Sequence, residues 1–209
     1  MDKNKPILIL GAGAIGKMAS DAFKSNSVIV YGFLDDELEG EVEEVPILGK
    51  EDDNQYLRII GKDCEVFVAS DNNTEKQKTV EFLSKKRKTV PTNAVHANAH
   101  VSSSAFIGYG NLVNQGATIG AFAKVTDHCL IHANALIDTE AVCESYVQVG
   151  AGAIINTKVY IEEGAFIGSG AIIVSGVKIG KGAKVGAGSV VIADVAAGET
   201  VFGNPAKKM

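Results

Sequence analysis

From residue 101 to residue 191 the chain places an apolar side chain at every sixth position: Val101, Ile107, Val113, Ile119, Val125, Ile131, Ile137, Cys143, and onward to Val191. The run holds sixteen such positions without a slip, and fifteen of them are Val or Ile. Two places before them, ten of the sixteen residues are Ala. A helix repeats its apolar face about every 3.6 residues and a half-buried strand every second one, so neither explains this period. A layered all-β sandwich needs alternation and irregular turn spacing, and does not produce sixteen phased positions. A fixed period of six predicts a hexapeptide β-helix, in which each hexad supplies a short strand and a corner. Three hexads then close a triangular coil of about eighteen residues, and sixteen make a little over five coils. The β-branched residue fills the narrow interior, and the small one before it permits the tight turn. Glycines such as Gly168, Gly180 and Gly186 are expected where a corner takes unusual φ/ψ.

The first ninety or so residues follow another rule. The stretch "PILILGAGAIG" reads as a buried strand, a glycine turn and a helix start, with "KMASDAFKSN" continuing the helix. "SVIVYGFLDDE" is a second strand ending in acids, and "EVPILGKEDD" reads as a loop. "DCEVFVASDN" is a third strand, and "NTEKQKTVEFLSKKRK" a polar amphipathic helix. Short apolar strands separated by helices predict a parallel sheet with right-handed crossovers. The chain is therefore expected to comprise an α/β domain over residues 1–92 and a β-helical domain over residues 93–209.

Gly11-Ala12-Gly13-Ala14-Ile15-Gly16 fits G-x-G-x-x-G between strand and helix, and Asp35 ends the second strand nineteen residues after Gly16. By itself this is a dinucleotide-binding start. Only half of such a fold precedes the prism, however, so it has room for a mononucleotide and none for a nicotinamide lobe. The physical reading is a diphosphate at the helix N-terminus, where free N–H groups and the dipole favour anions. Asp35 and Asp36 are placed to accept hydrogen bonds from a base or an amino group. The plain alternative is a glycine turn that only packs helix on sheet.

Composition narrows the classes further. A net charge of −5, no Trp and 6% aromatic residues argue against nucleic-acid binding by phosphate attraction or base stacking. No apolar run is long enough to span a membrane, and the charged opening "MDKNK" does not read as an export signal. Three cysteines without metal-ligand spacing fit reduced thiols in the cytoplasm and no metal site.

The whole chain resembles the left-handed β-helix nucleotide-sugar acetyltransferases, the bacillosamine, perosamine and sialic-acid-pathway type. The residues that carry the likeness are "LGAGAIGK", "YGFLDDE", "EVPILGK", "VASDNNTEKQK", "AVHANAHVSSSAFIGYG", the hexads, and the tail "VFGNPAKK". The resemblance implies an α/β half-Rossmann domain followed by a left-handed parallel β-helix, a homotrimer, and acetyl-CoA as cosubstrate. The implied activity is N-acetylation of a 4-amino-deoxysugar linked to UDP, dTDP or GDP. A sugar O-acetyltransferase and a non-catalytic nucleotide-sugar-binding scaffold are the alternatives.

Carried over by position, the resemblance places the nucleotide sugar at Gly11, Gly13, Ala14, Ile15, Asp35 and Asp36, with Ser70, Asp71 and Asn72 nearby. The family has Gly-Gly-His where this chain has Gly13-Ala14-Ile15. Its catalytic His-acid pair falls on Thr139-Glu140, and a second His that contacts the thioester falls on Gln148, or on Tyr146 if the corner shifts. Three readings of the chemistry stay open: Glu140 as base aided by Asp138, His128 or His132 reaching in from another rung or subunit, and no protein base at all. The last is preferred, with a neutral amine attacking the thioester and Glu140 positioning it. Gln148, Thr157, Gly168, Ser169, Gly186 and Ala187 are the candidates for the pantetheine arm, and Lys207, with Lys208, for the cofactor phosphates.

Overall fold

The computed structural model describes residues 5–209, so the first part of the charged opening stretch lies outside the described residues. The described chain divides into two compact units, one ending at Ala97 and the other spanning Asn98–Met209.

In the first unit a parallel sheet forms around β1 (Ile7–Leu10), whose four residues are all at most 1% exposed. β2 (Val30–Leu34) lies on one side of it, and the strand Glu65–Val68 on the other, both parallel. Burial on both faces explains why β1 is an unbroken aliphatic run. Helix α1 (Ala14–Lys24) connects β1 to β2 and turns Ile15, Ala19, Ala22 and Phe23 inward. The segment "EVPILG", read from sequence as a loop, is instead a strand: Val45–Gly49 pairs parallel to β2 and antiparallel to the short strand Glu41–Val42. Helix α2 (Asn54–Leu57) follows, and helix α3 (Asn73–Arg87) comes after the strand Glu65–Val68.

The second unit is a three-sided parallel β-helix. From His100 to Val191 its strands are two residues long, and those up to Ile173 pair with the strand eighteen residues on, as in Leu130↔Gln148, Leu136↔Ile154 and Val142↔Tyr160. From Val113 to Val191 every sixth residue is buried, at 2% exposure or less. Each such aliphatic side chain contributes about 1.5–3 kcal/mol by leaving water. The expectation fails at the first coil, where Val101 is 38% exposed and Ile107 half-buried, because that coil has no rung of the prism before it. The polar exceptions in the small-residue row are satisfied. Asn111, fully buried, donates Nδ2–H to the Thr126 carbonyl at 2.7 Å and accepts from the Cys129 N–H at 2.7 Å. Ser189 Oγ, also fully buried, accepts from the Gly203 N–H at 3.1 Å.

The glycine expectation needs correction. Left-handed φ falls at a different corner position, occupied by Gly152, Gly164, Gly170, Gly176, Gly182 and Gly188, and in the middle coils by Phe122, His128, Asn134, Glu140, Tyr146 and Lys158. Gly168 and Gly180 are required by space, because the atoms over them are backbone. A Cβ on Gly168 would lie 2.5 Å from the Ala187 nitrogen, and one on Gly180 would lie 2.4 Å from the Ala197 nitrogen. At Gly186 the obstacle is the Phe202 ring, 2.3 Å away.

Candidate functional site

In the first unit, the C-terminal ends of the parallel strands converge. Gly11 N–H donates to the Leu34 carbonyl at 2.7 Å, Ala69 N–H to Leu10 at 2.7 Å, and Asp35 N–H to Gly49 at 2.9 Å. Beyond these bonds opens a cleft of about 700 Å³, the position where open α/β sheets bind ligands. Gly11 has φ +99°, and a Cβ there would lie 2.6 Å from the Ala69 carbonyl oxygen, so only glycine fits. Gly16 is equally constrained, its Cβ falling 2.1 Å from the Gly11 oxygen. Gly13 is different: a Cβ there meets nothing within 4 Å, and the residue caps α1 without any side-chain hydrogen bond. Its missing side chain leaves the helix N-terminus open to the cleft, which suits a ligand that approaches backbone N–H groups.

Gly11, Gly13, Ala14, Ile15, Asp35, Asp36, Ser70 and Asp71 all line this cleft. Asn72 does not; its Oδ1 caps α3, accepting from Thr74 N–H at 3.0 Å and Glu75 N–H at 3.4 Å. Asp35 is largely committed to the loop itself. Its Oδ2 accepts from Ala12 N–H at 2.7 Å, and its Oδ1 from Glu37 N–H at 2.9 Å and Leu38 N–H at 2.7 Å. Burial pushes this carboxyl up, yet the three donors outweigh that and hold it below the usual range. Asp36 Oδ1 accepts from the Glu51 N–H at 3.0 Å.

The lining also includes Glu51, Glu75, Lys78 and Thr79, which the sequence reading did not single out. Burial, reinforced by the charges of Asp36, Asp35 and Glu75, pushes the Glu51 carboxyl up to about 7. Glu51 follows the strand Val45–Gly49, so recognising that strand would have delivered it to the same crevice. Glu75, Lys78 and Thr79 stand three and four residues apart, which is one face of a helix. That spacing was the available signal.

On the prism, the candidate residues fall on three different edges. Asp138, Thr139 and Glu140 form one corner, and Thr157 and Lys158 stand over it one coil later. Asp138 Oδ1 accepts from the Thr139 N–H at 2.7 Å, and its Oδ2 from the Thr157 hydroxyl at 2.8 Å. These two donors, the Thr139 amide first, hold Asp138 below the usual carboxylate range. Glu140, with φ +58°, pairs with Lys158 Nζ at 3.7 Å. A second corner carries His128, 8% exposed, stacked on Tyr146 with ring centroids 5.0 Å apart and planes inclined 24°. The third corner is made of small residues on three successive coils: Gly150-Ala151-Gly152, Gly168-Ser169-Gly170 and Gly186-Ala187-Gly188. Gln148 lies on the face leading into that corner, between Leu130 and Phe166. Lys207 lies on the terminal strand, paired with Phe202. Thr139, Glu140 and Thr157 are thus brought together, and Gly168, Ser169, Gly186 and Ala187 likewise, while His128 stands apart from both groups within the protomer. His132 belongs to the small-residue corner one coil before Gly150. Among the described residues no group of three or more His, Cys, Asp or Glu side chains could hold a metal ion, and no helix is long and apolar enough to cross a membrane.

Comparison with known proteins identifies two segments. The family model described as PglD N-terminal domain matches residues 6–83, and that of the bacterial transferase hexapeptide (six repeats) matches residues 158–193. Among solved structures, the chain is similar to the acetyltransferase domain of PglB from Neisseria gonorrhoeae in complex with acetyl coenzyme A. The two share 28% identity with a TM-score of 0.92, covering 99% of this chain and 100% of that one. A His→Asn mutant of perosamine N-acetyltransferase from Caulobacter crescentus, in complex with CoA and GDP-perosamine, matches at 28% identity and TM-score 0.91, over 99% of this chain and 97% of that one. WeeI from Acinetobacter baumannii matches at 28% identity and TM-score 0.84, over 98% and 100% of the two chains. No curated protein matches.

Proposed function

We propose that this chain, similar over nearly its whole length to nucleotide-sugar acetyltransferases with a left-handed β-helix, is an acetyl-CoA-dependent N-acetyltransferase acting on a nucleotide-linked 4-amino-deoxysugar. The observation that carries the reading is the match over 99% of the chain to a protein crystallised with both CoA and GDP-perosamine. It is supported by the cleft in the first unit, where the open α1 N-terminus receives the diphosphate. It is supported again by the small-residue corner of the prism, whose bare backbone leaves room for the pantetheine arm.

No metal or redox group enters this chemistry. The neutral sugar amine attacks the thioester carbonyl, a C–N bond forms, and the C–S bond breaks. The amine's proton leaves with the sulfur as free CoA thiol. Glu140 accepts a hydrogen bond from the amine and aims its lone pair, which converts proximity into rate. Asp138 is a poor proton acceptor because its carboxylate is already stabilised by Thr139 and Thr157. That favours an amine, which can attack unassisted, over a hydroxyl, which must lose its proton. The active form is a homotrimer: on one face of the prism the outward row Leu136, Ile154, Ile172 and Val190 is aliphatic and only half-buried, a surface suited to a second copy.

The test is thiol release from acetyl-CoA against a panel of UDP-, dTDP- and GDP-linked 4-amino sugars. One of them is expected to be turned over. Glu140→Ala is expected to lower kcat about tenfold with little change in KM for acetyl-CoA, the pattern of a lost orienting contact. Equal activity of Glu140→Ala and the parent protein would remove Glu140 from the mechanism.

A further inference from the structure

The end of the chain carries an aromatic ring that the reading above leaves unused. The strand Thr200–Gly203 continues one sheet of the prism, with Lys184 opposite Thr200 and Val185 opposite Val201. The strand Ala206–Lys208 then folds back antiparallel to it. Alternation along the first of these turns Val201 inward, at 6% exposure, and Phe202 outward, at 58%. The hairpin is held by Gly203 N–H on Ser189 Oγ at 3.1 Å and by Met209 N–H on the Thr200 carbonyl at 3.1 Å.

The Phe202 ring rests on Gly186. A Cβ built there would meet ring atoms Cδ2, Cε2 and Cγ at 2.3, 3.2 and 3.3 Å, so part of the ring is seated on bare backbone and the rest stands in solvent. Phe202 therefore marks the end of the small-residue corner. Phe202 and Lys207 are directly opposed in the hairpin register, and directly opposed residues of an antiparallel pair project to the same side. The neighbouring Lys208 alternates to the other side, where its ammonium pairs with Glu199 at 3.2 Å. A flat apolar surface and a cation thus share one side of the hairpin. That combination matches a purine joined to a phosphorylated ribose.

We propose that the Phe202 ring is the stacking platform for the purine of the acyl carrier, with Lys207 facing the phosphates beside it. This rests on the acyl-CoA reading and adds a residue that decides how much of the carrier's affinity comes from its nucleotide end. Stacking of a base on an aromatic side chain is strong enough to shift affinity about tenfold.

The experiment compares acetyl-CoA with S-acetylpantetheine, which keeps the thioester arm and lacks the nucleotide, on the full-length protein. Phe202→Ala is expected to raise the KM and Kd for acetyl-CoA about tenfold and leave S-acetylpantetheine turnover as in the parent. Phe202→Trp, which retains a platform, is expected to bind acetyl-CoA at least as well as the parent. Unchanged acetyl-CoA affinity in Phe202→Ala overturns the proposal. An equal loss for both donors, unrescued by Phe202→Trp, overturns it too, since it makes the ring a support of the fold or of a subunit contact. A parent protein that binds neither donor overturns the acyl-transfer reading itself, and this proposal with it.

Discussion

Alanine at Gly168 is expected to lower the stability of the prism by about 3 kcal/mol, whereas alanine at Gly170, two residues along the same corner, is expected to cost only about 1 kcal/mol. The two glycines answer different demands. At Gly168 the added Cβ would sit 2.5 Å from the Ala187 nitrogen and 2.8 Å from its Cα. Both atoms belong to the next rung, and that rung is fixed by Gly168 N–H on the Val185 carbonyl at 2.8 Å and Gly188 N–H on the Ser169 carbonyl at 2.9 Å. Relief requires prising two coils apart along a hydrogen-bonded ladder. At Gly170 the added Cβ meets nothing within 4 Å, and the penalty is that of an L-residue at φ +67°. This protein already tolerates that conformation at Glu140, Tyr146 and Lys158. Urea midpoints of the two variants check the contrast, provided the transition slopes stay equal. Equal losses at the two positions would mean that backbone conformation, and not coil spacing, governs the corner.

The contrast also shows where sequence alone stops. A period of six names the residues that fill the prism, because an interior of fixed width demands one shape of side chain at one phase. It also brings Thr139 to Thr157 and Glu140 to Lys158, since eighteen residues make one coil. It cannot tell a glycine demanded by φ from one demanded by the rung above, because both appear as Gly at a corner. In the first unit the strands that alternate with helices were legible from their aliphatic runs. The strand Val45–Gly49 was not, because Pro46 removes a backbone donor and reads as a breaker. Pro46 lies opposite Glu41 in the antiparallel pair, in a strand held chiefly by its parallel neighbour β2. Missing that strand hid Glu51. The commitment of Asp35 to three backbone amides was hidden as well, since those donors come from two separate turns.

Between about pH 4.5 and pH 7, stability is expected to fall as pH rises by an amount traceable to Glu51, about 1–2 kcal/mol once solvent screening of the half-buried carboxyl is allowed for. Its carboxyl is half-buried at the rim of the acidic cleft, and burial, then Asp36, Asp35 and Glu75, raise it from 4.5 to about 7. The folded protein therefore holds a proton that the unfolded chain has already released across this window. A group raised in the folded state contributes fully below the unfolded value and loses its contribution as pH climbs through the folded one. The Glu51→Gln variant keeps the size of the side chain and the backbone N–H that binds Asp36 at 3.0 Å, and removes only the ionisation. It is expected to match the parent near pH 4, to lack the Glu51 part of the slope, and to be the more stable protein at pH 8. Unfolding midpoints of both proteins across the pH series check this, and an NMR titration of the Glu51 carboxyl locates the proton directly. Parallel pH curves for the two proteins would mean that solvent reaches Glu51 well enough to cancel its burial. A diphosphate sitting at the α1 N-terminus adds negative charge near the same carboxyl, so nucleotide-sugar binding is expected to raise it further and to take up protons near pH 7.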